Sequence, residues 1–285
     1  MRNVWINGVR HGEETAVISV FDRGFLYGDS VFEALRTYGG RPFALDAHMD
    51  RLARSAARVL IAMPLELPAF AAEVERAVAV PGESYVRIML TRGTGPLNLD
   101  PDTASRPNRV IIVEPLATPP AELYERGIGV VFFRTIRATD GNPGAGAKVA
   151  NYLTSLLALR DAKTRGASEA LVVDASGHVL EGTTSNFFIV RGRKLITPPE
   201  ESGILAGITR VHVLAVAPSI GLEVEVANLT ERDVLEADEV FVCSSIREIV
   251  PVIRVESTVI GDGQPGATTR ALHEAFRRVT RGAAH

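Results

Sequence analysis

Lysine is scarce in this chain. Only Lys148, Lys163 and Lys194 occur, and every other basic side chain is an arginine or histidine. A lysine can lose its proton and form a Schiff base with a carbonyl, which an arginine cannot do. Lys148 lies in the glycine-rich stretch Gly141-Asn142-Pro143-Gly144-Ala145-Gly146-Ala147-Lys148. Such a loop leaves its amine room to reach a reactive partner, although a lysine beside a helix start is also commonly just solvated. Three further segments carry complementary chemistry. Glu181-Gly182-Thr183-Thr184-Ser185-Asn186 sets a carboxylate before small hydroxyl residues and an apolar strand. Leu205-Ala206-Gly207-Ile208-Thr209-Arg210 opens a helix with a glycine and a threonine, where free N–H groups and the helix dipole favour an anion. Cys243-Ser244-Ser245-Ile246-Arg247-Glu248 ends a strand in hydroxyls that suit a phosphate. An amine, a carboxylate and two phosphate-holding segments point together at one cofactor. A P-loop is excluded, because Ala147 separates Gly146 from Lys148 and Val149 replaces the required hydroxyl.

These groups need a scaffold. Asn7-Gly8 within Val4–Val9 predicts a hairpin, and a second strand is expected over Ala16–Val20. The loop Phe21–Ser30 is rich in aromatics and glycines. Val31–Tyr38 reads as a strand with Phe32, Ala34, Arg36 and Tyr38 on one face and Val31, Glu33, Leu35 and Thr37 on the other. Neither face is cleanly apolar, as in a strand that lines a cavity or forms an edge. Asp46 is expected to cap a helix from about 47 to 62, with Met49, Leu52, Ala53, Ala56, Val59 and Leu60 as its stripe. On that helix Arg51, Arg54 and Arg58 form either a solvated basic face or a route to a buried anion. A helix over Pro68–Val80 and strands over Ser84–Thr91 and Arg109–Val113 follow, the former strand placing Tyr85, Arg87 and Met89 on one face. Glu114–Pro120 carries three prolines and reads as a stiff boundary. Beyond it come a strand at Gly127–Arg134 and a helix from about 150 to 164, with Leu153, Leu156, Leu157 and Leu159 as its apolar side. Strands at 169–173, 178–180, 187–190, 195–197, 222–226, 239–243 and 249–255, a helix at 207–218 and a terminal helix at 268–281 complete an α+β pattern.

A chain of 285 residues can bury a large core and divide into two domains. A net charge of −3 offers no footprint for nucleic acid or an anionic membrane. No apolar run approaches the length of a membrane span or signal peptide, so a cytoplasmic enzyme is expected. The lone Cys243, in an apolar run, is expected to be a buried structural thiol, and no metal site is expected.

Lys-x-x-Asn before a leucine-rich helix, then Glu-Gly-Thr-x-Ser-Asn-Phe-Phe, then Gly-Ile-Thr-Arg, form a specific ordered set. In these motifs the chain resembles the class IV aminotransferases, pyridoxal-phosphate (PLP) enzymes of fold-type IV. That group includes branched-chain aminotransferases, D-amino-acid aminotransferases and aminodeoxychorismate lyases. The resemblance implies a small N-terminal α/β domain (1–114), a linker (115–120) and a larger PLP-binding domain (121–285) with a barrel-like sheet. It implies that Lys148 anchors PLP covalently and shuttles the substrate proton, and that Glu181 keeps the pyridine nitrogen protonated. Arg51, Ile208, Thr209 and Ser245 would hold the phosphate, and Asn186 would belong to the cofactor shell. Tyr152 stands one residue nearer the lysine than in bacterial branched-chain enzymes, and either approaches O3′ or packs.

For the substrate, the resemblance implies Tyr27, Phe32, Arg36, Tyr85, Arg87, Ile246 and Arg247. Tyr85-Val86-Arg87 matches the Tyr-x-Arg of branched-chain enzymes. The hydroxyl-rich Thr184-Ser185 and the absence of two small residues at 246 and 247 lean towards a non-standard D-amino-acid transaminase. Leu97 and Leu99 nevertheless stand where well-known D-specific enzymes carry an arginine and a histidine. A carboxylate trap of Arg87 and Arg247 is therefore expected. The plainer reading pairs Arg247 with Glu248 or Glu33, and Arg87 with a strand neighbour. An L-branched-chain aminotransferase and a lyase stay open as alternatives. The implied partners are an amino acid, a 2-oxo acid (2-oxoglutarate or pyruvate) and a second copy of the chain as a homodimer.

Overall fold

A computed structural model of the chain describes residues 2–136 and 142–282. Gly141, at the head of the glycine-rich loop, lies outside the described residues. The described chain forms two compact units, one of residues 2–117, 147–152 and 280–282, the other of 118–136, 142–146 and 153–279.

In the first unit β1 (Asn3–Ile6) and β2 (Val9–His11) form the expected hairpin. Asn7 and Gly8 turn it with φ of 52° and 85°, the positive values a two-residue hairpin turn requires. The strand expected over Ala16–Val20 does not form. Val17, Ile18 and Val20 are exposed, so alternation there found no sheet to pair with. The aromatic loop after it closes into a short helix, α1 (Arg23–Tyr27), capped by the Asp22 side chain on Gly24 N–H and ended by left-handed Gly28.

Then come β3 (Ser30–Tyr38), β4 (Arg41–Pro42), α2 (Leu45–Arg58), α3 (Leu67–Val78), β5 (Ser84–Thr91) and β6 (Asn108–Pro115). The sheet order is β2-β1-β6-β5-β3-β4. Asp46 does not cap α2. Ala44 occupies the cap position with no side-chain bond, and Asp46 lies inside the first turn, where its charge still favours the helix dipole. Leu60, placed on the apolar stripe by periodicity, lies past the helix end and is exposed. Met49, Leu52 and Ala56 of α2 and Phe70 and Val74 of α3 share a core with Val31, Leu35, Val86, Ile88 and Leu90. That core takes one face of β3 and β5. On the other face Phe32 stands opposite Met89, Ala34 opposite Arg87 and Arg36 opposite Tyr85.

The division of the chain differs from a simple cut after the proline-rich stretch. The Lys148 segment belongs with the first unit because it pairs along β3. Phe32 N–H donates to the Lys148 carbonyl at 3.0 Å, Ala150 N–H to Ser30 at 2.9 Å, and Val149 bridges Val31.

The second unit begins with α4 (Glu122–Arg126), β7 (Ile128–Arg134), α5 (Leu153–Thr164), β8 (Glu169–Val173) and β9 (His178–Gly182). It continues with β10 (Asn186–Arg191), β11 (Lys194–Thr197), α6 (Ile208–Val216), β12 (Glu223–Val226), β13 (Leu229–Thr230) and α7 (Glu231–Leu235). The last elements are β14 (Glu239–Ser244), β15 (Glu248–Val255), β16 (Thr258–Val259) and α8 (Ala267–Gly282), of which residues up to 279 count with this unit. Its mixed sheet runs β12-β11-β10-β14-β15-β7-β8-β9-β13, with β16 on β15. The short helices α4 and α7 were not expected. At 5 residues each they carry too little periodicity to be read.

Helix α5 inverts its expected burial. Ala158 and Ala162 pack on Val131 and Ala170 of the sheet. Leu153, Leu156 and Leu157 are exposed by 63%, 61% and 53%. The small side chains let the helix approach the strands closely; these three leucines are left facing outward, while Leu159 is half-buried. Among the described residues no helix is long and apolar enough to cross a membrane. Nor does any group of three or more His, Cys, Asp or Glu form a metal site there.

Candidate active site

In the first unit, pairing along β3 holds the Lys148 backbone, and its N–H also donates to Ser55 Oγ at 3.1 Å. The half-buried side chain puts Nζ 3.5 Å from the Tyr152 hydroxyl and 4.7 Å from the centre of the Phe32 ring. The Arg87 guanidinium lies 3.9 Å from the same ring centre. Tyr152 meets Phe32 edge-on at 5.2 Å. Arg87 makes no ion pair among the described residues, so the strand-neighbour partner does not appear. A half-buried cation stacked on an aromatic face without a counter-ion can receive an anion. Arg36 and Tyr85 share this sheet face, with Arg36 4.4 Å from the Tyr38 ring centre. Tyr27, at the end of α1, lies 5.0 Å from the Arg23 guanidinium and remains partly exposed.

Of the three arginines on α2, Arg54 and Arg58 are exposed and Arg51 is buried. Arg51 grips Glu33 with two nitrogens, Nε at 2.8 Å and Nη2 at 2.6 Å. His48 Nδ1 lies 2.7 Å from the same carboxylate. This explains the mixed face of β3, on which Glu33 is a buried charge with partners and not a cavity lining. Burial alone would raise the Glu33 pKa. The Arg51 charge and hydrogen bonds, joined by His48, outweigh it and hold Glu33 at about 2. His48 is pushed below its usual value, first by burial and further by the charges of Arg51 and Lys148, against the pull of Glu33. Its Nε2 is buried with no hydrogen-bond partner among the described residues.

In the second unit the segment 205–209 is locked from two sides. Leu205 N–H donates to Glu181 Oε2 at 3.1 Å, and Asn186 Nδ2 donates to the Leu205 carbonyl at 2.9 Å. Gly207, the N-terminal cap of α6, must be glycine, since a Cβ would lie 1.8 Å from Asn186 Oδ1. With no side chain capping α6, the N–H groups of its first turn stay available beside the buried Thr209. Ser245, Ile246 and Arg247 form the tight turn from β14 into β15.

Arg247 does have a carboxylate partner, but neither of those expected. It pairs with Glu169 at 2.6 Å. Glu33 is taken by Arg51 and His48, and Glu248 by His273 at 2.6 Å and Arg277 at 2.8 Å. Glu169 also accepts from Ser185 Oγ at 2.7 Å, Thr183 Oγ1 at 3.2 Å and Thr184 N–H at 3.3 Å. Its role was not legible in the sequence, because a glutamate opening an apolar strand looks like a boundary residue. For Glu33 a signal did exist, a lone charge on an otherwise core-facing alternation. Cys243 is buried and its thiol is pushed up to about 12, chiefly by burial, which leaves it inert.

Residues 30–255 match the amino-transferase class IV family. The chain is 38% identical to a putative branched-chain-amino-acid aminotransferase of Methanocaldococcus jannaschii, over 97% of this chain and 96% of the relative. It is 29% identical to a D-alanine aminotransferase of Bacillus licheniformis, over 96% and 95%. Its structure resembles that of a T.th. branched-chain amino acid aminotransferase with pyridoxamine 5′-phosphate. The TM-score is 0.92 at 29% identity, covering 98% of this chain and 94% of the other.

Proposed function

Because the chain belongs to the class IV aminotransferases, α+β enzymes of fold-type IV that use pyridoxal 5′-phosphate, we propose that it moves an amino group from an apolar amino acid to a 2-oxo acid. Lys148 is the catalytic amine and Arg87 the ligand of the α-carboxylate. The observation that carries this reading is the convergence of Lys148 Nζ and the Arg87 guanidinium on the Phe32 ring. An amino acid presents its Cα and its carboxylate side by side, and this face offers a base for one and an uncompensated cation for the other.

The residues present suit the cofactor. An uncapped helix start with Thr209 and Ile208 and the Ser245 turn are groups that hold a phosphate, and Arg51, whose Nε and Nη2 are taken by Glu33, would add its charge there without its fork. Glu181, tied to Leu205 N–H, is a carboxylate fixed well enough to hold a pyridinium proton. Bound PLP supplies an electron sink for the pair released at the substrate Cα. Lys148 would take the proton from Cα of the amino donor and pass it on within that half-reaction, and in the second half would deliver a proton to Cα of the carbon skeleton that the 2-oxo acid brings. The Tyr152 hydroxyl steadies the lysine amine. Phe32 and Tyr152 keep water from the amine and give the side-chain region an apolar wall. Lys148→Ala should abolish turnover and the visible absorption of the holoenzyme together.

Between the two hands of substrate, the L-branched-chain reading rests on Tyr85-Val86-Arg87 and on the 38% identical relative. The D-amino-acid reading rests on Thr184-Ser185, on Ile246-Arg247 in place of small residues, and on the D-alanine aminotransferase relative. We favour L-branched-chain donors and keep Arg247 as a second carboxylate contact. Adding L-leucine and D-alanine separately decides the matter, since the preferred donor bleaches the visible band faster. If D-alanine wins, the assignment reverses. If neither reacts and aminodeoxychorismate yields pyruvate, the enzyme is a lyase. We place the enzyme in the cytoplasm and expect a homodimer, for which the outward leucines of α5 offer an apolar contact surface.

A further inference from the structure

Arg247 is held in an unusual way for a surface turn. Only its Nη2 is engaged, in an ion pair 2.6 Å from Glu169 Oε2 that lacks hydrogen-bond alignment, and at 3.4 Å from the Thr184 hydroxyl. Its Nε and Nη1 make no hydrogen bond among the described residues, so one edge of the fork is tied down and the other is open. Glu169 is 1% exposed. One of its oxygens is used up by Ser185, Thr183 and Thr184 N–H, and Arg247 is the only cation on the other among the described residues. If the arginine swung away it would leave a buried charge unpaired, which is costly. A Cβ at Gly182 would sit 2.2 Å from Ser185 Oγ and 2.6 Å from Glu169 Oε1, so the glycine leaves room for this bonded pair. The backbone of the turn is pinned as well. The Tyr124 hydroxyl donates to the Arg247 carbonyl at 3.1 Å. Glu248 takes a left-handed φ of 56°, which its bonds to His273 and Arg277 sustain.

We propose that Glu169 is the positioning residue that fixes Arg247, so that the open edge of its guanidinium stands ready for the substrate carboxylate. This rests on the reading of Arg247 as a substrate contact. Glu169 touches neither substrate nor cofactor, and its contribution passes wholly through the arginine. It ties the β14–β15 turn to the Thr183–Ser185 turn, two of the places where this chain departs from the branched-chain pattern.

Glu169→Gln is the sharp variant. It keeps an oxygen for Ser185, Thr183 and Thr184 and replaces the oxygen facing Arg247 with an amide that cannot pair with it. In the holoenzyme, E169Q should raise the KM for the preferred amino donor roughly tenfold or more, the usual scale for a lost charge-assisted contact. The kcat should stay within about threefold and the visible band should be retained. R247A should raise KM similarly, and E169Q/R247A no further, because the two act as one unit. If R247A raises KM and E169Q does not, Glu169 is not a positioning residue. Additive effects would show that Glu169 acts by another route and would overturn the inference equally. If R247A leaves KM unchanged while R87A raises it, the reading of Arg247 itself fails. E169D, which keeps the charge but withdraws it by one methylene, serves the same cycle should the amide impair folding, and is expected to raise KM less than R247A.

Discussion

Glu33 is the residue on which the acid behaviour of the first unit turns. In the unfolded chain its carboxyl titrates at about 4.3, and folded it is held at about 2. The sign follows directly. Stability from Glu33 is complete above the unfolded value and is lost as pH falls towards 2, a contribution on the order of 3 kcal/mol. His48 adds in the same direction but at higher pH. It is kept neutral in the fold, so the unfolded chain gains a proton first as pH falls through about 6.5. Glu33→Gln leaves Arg51 buried without its counter-ion and should cost about 3–5 kcal/mol at about pH 7. Thermal melts from about pH 7 down to about pH 3 should show the gap between E33Q and the parent narrowing as pH falls, and a gap independent of pH would contradict the account. Rarity and loop chemistry single out Lys148 in the sequence, and the structure sets its amine beside Tyr152 and Phe32. The partners of Arg51 and Arg247 were not legible, because Glu33 and Glu169 lie far from them in sequence and only the fold brings each pair together.

At the scale of elements, most strands could be read because alternation and β-branched runs are strong signals, as in Ser84–Thr91, which matches β5 residue for residue. Two failures have physical causes. The Ala16–Val20 segment alternates but has no strand beside it, and a strand needs a partner more than a pattern. Helix α5 was assigned its leucines as a core face, yet alanines make the closer fit to the sheet. The start of α6 is tightly packed against Asn186. Gly207→Ala forces a Cβ to within 1.8 Å of Asn186 Oδ1 and must displace either that amide or the helix start. A loss of about 1–3 kcal/mol is expected from such overpacking. Titration of the apo variant with PLP should also show weaker cofactor retention than in the parent. A variant with unchanged melting and unchanged PLP affinity would remove the helix start from the site.

For the whole molecule, the mixed α+β class was legible from the order of elements. The return of Ala147–Tyr152 to the first unit was not, since it depends on backbone pairing with β3. The outward leucines of α5 belong to the assembly scale. Leu156→Glu should convert the expected dimer to monomer in sedimentation analysis. The monomer itself should keep its fold, because an exposed position away from the core costs little within one chain, about 0.5 kcal/mol or less. A variant that remains dimeric would place the interface elsewhere. The central claim, that Arg87 receives the substrate carboxylate beside Lys148, is tested most directly by binding without chemistry. The measurement is the dissociation constant of the deamino carboxylate analogue of the preferred donor, titrated into the parent holoenzyme and into Arg87→Ala. The account predicts affinity lower by roughly tenfold to a hundredfold in the variant, the loss of one charge-assisted pair. Equal affinity in the two proteins would contradict it.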